Sequence, residues 1–166
     1  MQRPRELTYE ELHRLLTYHP NTGLFTWNVS WSAAKPGQTA GNTCRIRGCV
    51  QIQLLGRNYM AHRLAWFWMT GSWPSKMIDH INRVPSDNRW ANLREAENWQ
   101  NVANSTARQS KIGLPRGVTL TRTGKFSAKL WRRGRYVCLG TYTTAEEARS
   151  AYLAAARPHY GEFLVT

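Results

Sequence analysis

"KMIDHINRVPSDNRWANLREAENWQN", residues 76–101, decides how this chain is read. Asp79 and His80 stand side by side between apolar flanks, followed by repeated asparagines and almost no other catalytic side chains. The apolar pattern here is short. "MIDHI" predicts a strand, "NRVPSDNRWA" a polar loop, "NLR" a brief second strand, and "AENWQNVANSTA" a helix beginning near Glu97. The expected unit is strand, loop, strand and helix around one carboxylate and one imidazole.

Those two groups suit phosphodiester hydrolysis, which needs an activated water in line with the scissile bond and a positive centre on the phosphoryl and leaving oxygens. Histidine exchanges protons near neutrality, so His80 is the candidate general base. Asp79 offers a hard oxygen to Mg²⁺ or a similar ion, which would keep several waters and complete its shell with phosphate oxygens. Adjacent strand residues point to opposite faces, so both can serve one phosphate only where the chain bends or the ion sits at the strand edge. The predicted helix offers Asn98, Asn101 and Asn104, spaced by three and therefore neighbours on its surface. On spacing alone, a lone DH pair is also common by chance, and asparagines also cap or line turns. Asn92 reads equally as a turn residue, and Asn88 as a loop brace rather than a ligand.

Upstream, "LTYEELHRLLTYHPNTG" predicts a helix with Thr8 as N-cap, Glu11 at the capping-box position and Leu12, Leu15 and Leu16 on one face, stopped by Pro20 to Gly23. "LFTWNV" predicts a strand, and Lys35 to Asn42 a loop. "GCVQIQLLGRNYMAHRLAWFWM" alternates at Val50, Ile52 and Leu54, turns at Gly56 to Asn58, and continues as a helix from about Ala61 to Met69. At the start of that helix, His62 reads as a satisfied, partly buried histidine rather than a second base, while Arg63 could reach a phosphate.

Downstream, "NSTARQSKIG" is nearly devoid of apolar residues and predicts a linker over 106–112. Strands follow at Gly117 to Leu120, Lys125 to Trp131 and Tyr136 to Leu139, and then a helix, "TTAEEARSAYLAAA", with Thr144 and Glu147 at capping-box spacing. Phe126, Ala128 and Leu130 should lie under the helix. Lys125, Ser127, Lys129 and Trp131 then remain on the open face, beside Arg132, Arg133 and Arg135. The fold class expected is α+β, with two modest cores in 166 residues that are 42% apolar.

The net charge is +13 and the pI about 10.4, which predicts attraction to a polyanion, nucleic acid first. The residues from Thr106 onward hold 11 of the 23 basic and 3 of the 10 acidic groups, so the smaller part carries +8 against +5 for the rest. No apolar run approaches 18 residues and no secretory signal is visible at the N-terminus, so neither a membrane partner nor export is expected, and a cytoplasmic location is. Cys44, Cys49 and Cys138 form no CxxC pair and read as reduced thiols.

"DH" at 79–80, "NL" at Asn92 and "QN" at Asn101 resemble the HNH nuclease motif, in the variant of phage and intron homing endonucleases where asparagine replaces the last histidine. "AHRLAW" and "GLFTW" resemble the N-terminal part of the same family, extending the likeness over most of residues 7–105. The resemblance implies a ββα-metal nuclease domain over 1–105, with its core at about 76–105. It implies that Asp79 and Asn101 hold a divalent cation, Mg²⁺ with Mn²⁺ as the alternative, that His80 is the general base, and that Asn92 braces the loop or the histidine. The helix start, "EAENW", departs from the usual Thr-containing pattern. One motif per chain predicts one nick per binding event, with double-strand cleavage requiring a dimer or sequential nicks. The host implied is a phage or a prokaryote.

"RGV", "GKFSAKL" and "LGTYTTAEEARSAY" resemble the AP2 DNA-binding domain, implying double-stranded DNA read by a three-stranded sheet over 113–166. Positions matching DNA-facing ones are Arg116, Thr119, Thr121, Lys129, Trp131, Tyr136 and Cys138, and Arg133, Arg135 and Arg63 join them as candidate DNA contacts by charge. Several of these are arginine or tryptophan in plant AP2 transcription factors. The departure falls where base identity is read, so the plant target preference does not transfer.

Overall fold

A computed structural model describes residues 6–46, 48–105, 113–132 and 134–164. The expected linker, 106–112, and Arg133 lie outside the described residues. Among them the chain is mixed α and β, with four α-helices and four small antiparallel sheets. No helix among them is long and apolar enough to cross a membrane. Two compact units form, Met1–Asn98 and Trp99–Thr166. Their boundary falls at the start of the helix α3 (Asn98–Asn104), earlier than the expected break after residue 105.

The first unit opens with α1 (Tyr9–Leu15), closed by a full capping box: Glu11 N donates to Thr8 Oγ1 at 3.2 Å and Thr8 N to Glu11 Oε2 at 3.0 Å. Leu12 and Leu15 bury their side chains as the helical spacing requires, but Leu16 does not extend the helix. It starts β1 (Leu16–His19), which pairs with β2 (Leu24–Trp27), with Leu16 opposite Trp27 and His19 opposite Leu24. The leucine spacing concealed this hairpin because the pattern 12, 15, 16 fits a helical face as well as a helix running into a strand. What decides is the aromatic and β-branched content of "LTYH" and "LFTW", whose alternating burial fits a pleated pair.

A short β3 (Thr39–Ala40) completes that sheet within the expected loop, and β4 (Asn42–Thr43), β5 (Val50–Leu54) and β6 (Arg57–Met60) form the next. Leu54 pairs with Arg57, so the turn residues are Leu55 and Gly56, both at positive φ (49° and 77°). This is the backbone that a two-residue primed hairpin turn demands, and it lies one residue earlier than the sequence spacing predicts. The chain then enters α2 (Ala61–Thr70), which buries Ala61, Leu64, Ala65 and Phe67 and ends on Gly71 in the left-handed region. Phe25, Ile52, Leu54 and Leu64 pack with Leu12, Leu15 and Leu16 into one core.

The last sheet of this unit is β7 (Met77–His80) against β8 (Leu93–Ala96), joined by a loop that closes in a 3-10 turn at Trp90–Asn92. The register sets Asp79 opposite Arg94 and His80 opposite Leu93.

In the second unit, β9 (Val118–Leu120), β10 (Phe126–Arg132) and β11 (Arg135–Tyr142) form a sheet of order β11-β10-β9, on which α4 (Ala145–Tyr160) packs. Ala128 and Leu130 are buried with Ala148, Tyr152 and Ala156 of the helix. Thr144 and Glu147 close the second capping box. Ser127, placed by alternation on the open face, is nevertheless buried, because it sits mid-strand between Thr119 and Thr141 and its hydroxyl lies 3.5 Å from Cys138 Sγ. Gly117 (φ 81°) lets the chain pass under Tyr152, whose ring a Cβ at that position would strike.

Candidate active site

Asp79 and His80 end the strand β7, and their neighbours divide as strand alternation dictates. Asp79 is buried, and its Oδ2 accepts from Arg94 Nε at 2.9 Å across the sheet. His80 is half-buried and looks the other way, toward the loop and α2. Its Nε2 lies 3.1 Å from Oδ1 of Asn88, a residue only 2% exposed. The His62 ring meets the His80 ring edge to face, with centroids 5.2 Å apart and planes at 85°.

His62 is partly buried, as its sequence context implies, but it is not satisfied: its Nδ1 is buried without a hydrogen-bond partner. Burial first, then the neighbouring His80 and Arg63, push its pKa down to about 4. Near neutrality it is therefore an uncharged ring against His80. Arg63 donates to the Pro74 carbonyl at a long 3.5 Å.

The loop that carries these contacts is held by its own side chains. Asn92 is buried and uses both ends of its amide: Oδ1 accepts from Asn82 N at 2.9 Å, and Nδ2 donates to Asn82 Oδ1 at 3.0 Å and to Asp87 O at 2.7 Å. Asn92 ties the two ends of the loop together and its amide bonds are made within it. Asp87 takes a forked pair of bonds from Arg89, Nε at 2.8 Å and Nη2 at 2.6 Å, and one from Asn82 Nδ2 at 2.6 Å. The Arg89 guanidinium, with help from Asn82, holds the Asp87 carboxyl well below the usual carboxylate range. Asn88, which sequence alone offers as a loop brace, is the residue that reaches the histidine. The signal available for it was only its place in the "DNR" of the loop.

Asn101 is on α3, in the second unit, half-buried. Asp79, in the first unit, offers a carboxylate, and Asn101, in the second, a neutral amide oxygen. Among the described residues no three His, Cys, Asp or Glu cluster as a metal cage would need. Hard oxygens with little charge fit Mg²⁺ or Mn²⁺, which retain much of their water, and do not fit a thiolate-and-imidazole zinc site.

The second unit's sheet presents its own candidate interface. Cross-strand pairing joins Lys129 with Cys138 and Trp131 with Tyr136 on one face, and a bulge beside Ala128 and Lys129 sets that register. Lys129, Trp131 and Tyr136 are exposed, and the Trp131 and Tyr136 rings meet edge to face at 4.7 Å. Thr119 is exposed on the neighbouring strand. Arg135 pairs with Arg132, so alternation sets both on the opposite side from Trp131. Thr121 bonds its hydroxyl into the β9–β10 turn, donating to Lys125 O at 2.9 Å. Arg116 turns to α3: its guanidinium donates to the carbonyls of Ala103 (2.6 Å), Val102 (2.9 Å) and Ser105 (3.0 Å), covering acceptors that a helix C-terminus leaves open. Trp99 of the same helix stacks on His159.

No curated protein and no solved structure matches the chain at a significant level. Residues 59–103, which include α2, His62, the whole β7–loop–β8 hairpin and most of α3, match the family model described as HNH endonuclease, and that likeness supports a nuclease role.

Proposed function

We propose that this protein is a metal-dependent DNA endonuclease of the HNH type, of the homing kind, brought to its site by an AP2-like C-terminal unit. The observation that carries the reading is His80, held at the end of β7 by a buried amide, inside the segment that matches the HNH endonuclease model. His80 takes a proton from water as the water oxygen bonds to phosphorus. The bond from phosphorus to the leaving sugar oxygen breaks, and that oxygen takes a proton from solvent. Asp79 and Asn101 would hold the cation, which when bound would supply positive charge to the phosphoryl and leaving oxygens. Asn92 keeps the loop closed around the base. Lys129, Trp131, Tyr136 and Thr119 offer a basic, aromatic sheet face to duplex DNA.

One observation favours a second reading, a DNA-binding regulator with a silent nuclease unit: the Asp79 carboxylate already has a cationic partner in Arg94. Supercoiled plasmid carrying the protein's native genomic neighbourhood separates the two. Conversion to open-circle or linear DNA with Mg²⁺, abolished by chelator and by His80→Ala, is the expected result. Binding and shifting of that DNA without cutting, by parent and variant alike, would give the regulator precedence.

A further inference from the structure

Resting on the nuclease reading, we propose that Asn88 is a positioning residue that fixes the tautomer and ring orientation of His80, and that the Tyr18 hydroxyl, on the β1–β2 hairpin, holds Asn88 in place. Asn88 Nδ2 donates to Ser86 O at 3.4 Å, which turns Oδ1 toward His80 Nε2 at 3.1 Å. An amide oxygen only accepts, so His80 Nε2 carries the hydrogen, and in the neutral ring the basic lone pair is on Nδ1. The proton taken from water therefore goes to Nδ1. The imidazolium that results keeps its Nε2–H bond to Asn88, so the same contact serves before and after proton transfer.

Asn88 is itself fixed through its backbone. Tyr18 Oη donates to Asn88 O at 2.6 Å, a buried bond between residues 70 positions apart. Burial raises the Tyr18 pKa above its ordinary value, so this donor keeps its proton. At the tip of the same hairpin, a Cβ on Gly23 would collide with the Asn88 and Arg89 backbone, and Trp90 N donates to Pro20 O at 3.0 Å. The His62 ring limits rotation of His80 from its other side. The N-terminal hairpin is thus a buttress for the candidate base, although it contributes no reacting group.

Nitrogen-15 NMR of the full chain in alkaline buffer, without metal or DNA, reads the tautomer directly. Alongside it, kcat and KM for plasmid cutting with Mg²⁺ are measured for the parent, Asn88→Leu, Asn88→Asp and Tyr18→Phe, each checked for folding by near-UV circular dichroism. The expected result is a single Nε2–H tautomer of His80 in the parent. Asn88→Leu mixes the tautomers and lowers kcat by roughly 10²-fold with KM unchanged. Asn88→Asp, which keeps an acceptor at the same place, restores both, and Tyr18→Phe shifts both in the direction of Asn88→Leu by a smaller amount. An Nδ1–H tautomer in the parent overturns the proposal. So does a folded Asn88→Leu with the parent's tautomer and kcat. A parent that never cuts but shows the Nε2–H tautomer, lost in Asn88→Leu, counts against the nuclease reading and leaves the positioning contact standing.

Discussion

Asp79 and Arg94 are a cross-strand ion pair with side chains only 5% and 12% exposed. Removing the guanidinium leaves a carboxylate buried without it, a change that costs about 3–5 kcal/mol in comparable buried pairs. Arg94→Met should lower the urea midpoint by a corresponding amount, and adding Asp79→Leu to it should recover most of the loss, because the buried charge is then gone. His62 makes a prediction in pH. Its pKa is near 6.5 when unfolded and about 4 in the fold, so both states are neutral above pH 6.5 and the full stability is present there. As pH falls from 6.5 to 4 the unfolded chain takes up the proton first. Stability should drop by roughly 3 kcal/mol over that window from this group and level off below it. Denaturation curves of parent and His62→Phe at pH 7.5 and 4.5 should diverge, with the variant flatter. The pair 79–80 is legible in sequence because it is contiguous. The tautomer of His80 is not, because the amide that sets it arrives through loop closure.

The β1–β2 hairpin shows how an element with no catalytic residue can bear on a candidate site. Gly23 sits at φ 75°, a region that costs an L-residue about 1–2 kcal/mol, and the Asn88–Arg89 backbone leaves no room for a Cβ. Gly23→Ala should therefore destabilise by more than the backbone penalty alone. It should also lower nuclease activity beyond what the fraction unfolded explains, since Asn88 must give way. Thermal melts with cutting rates measured well below the midpoint would separate the two effects. The sequence signalled a stop at Pro20 to Gly23 and so located the turn. It did not reveal that the turn was a hairpin tip pressed on a loop some 65 residues later, because that close approach is a property of packing and not of local propensity.

For the whole molecule, a net charge of +13 predicts binding to DNA that weakens steeply with salt, as counterions released from phosphates must be displaced again. The fall of log K with log salt should be linear. Lys129→Ala should reduce its slope by about one unit, whereas Trp131→Ala should weaken binding at every salt concentration with the slope kept. Fluorescence anisotropy of a labelled duplex over a salt series would test both. If Arg116 is occupied with the α3 carbonyls when DNA is bound, Arg116→Ala should leave the slope unchanged as well.

The sequence by itself determined the α+β composition, both capping boxes, the strand-loop-strand-helix order around Asp79 and His80, and the basic three-stranded face of the second unit. Each rests on contiguous or periodic residues, whose physics is local. Tertiary structure alone decided that Leu16 leaves its helix for a strand, that Asp79 meets Arg94, and that Arg116 spends its guanidinium on a helix end. It also turned Asn88 from a loop brace into the partner of His80. These outcomes depend on strand register, which sets Asp79 opposite Arg94, and on loops closing over distant elements, and a one-residue shift in that register would have given Asp79 a different neighbour.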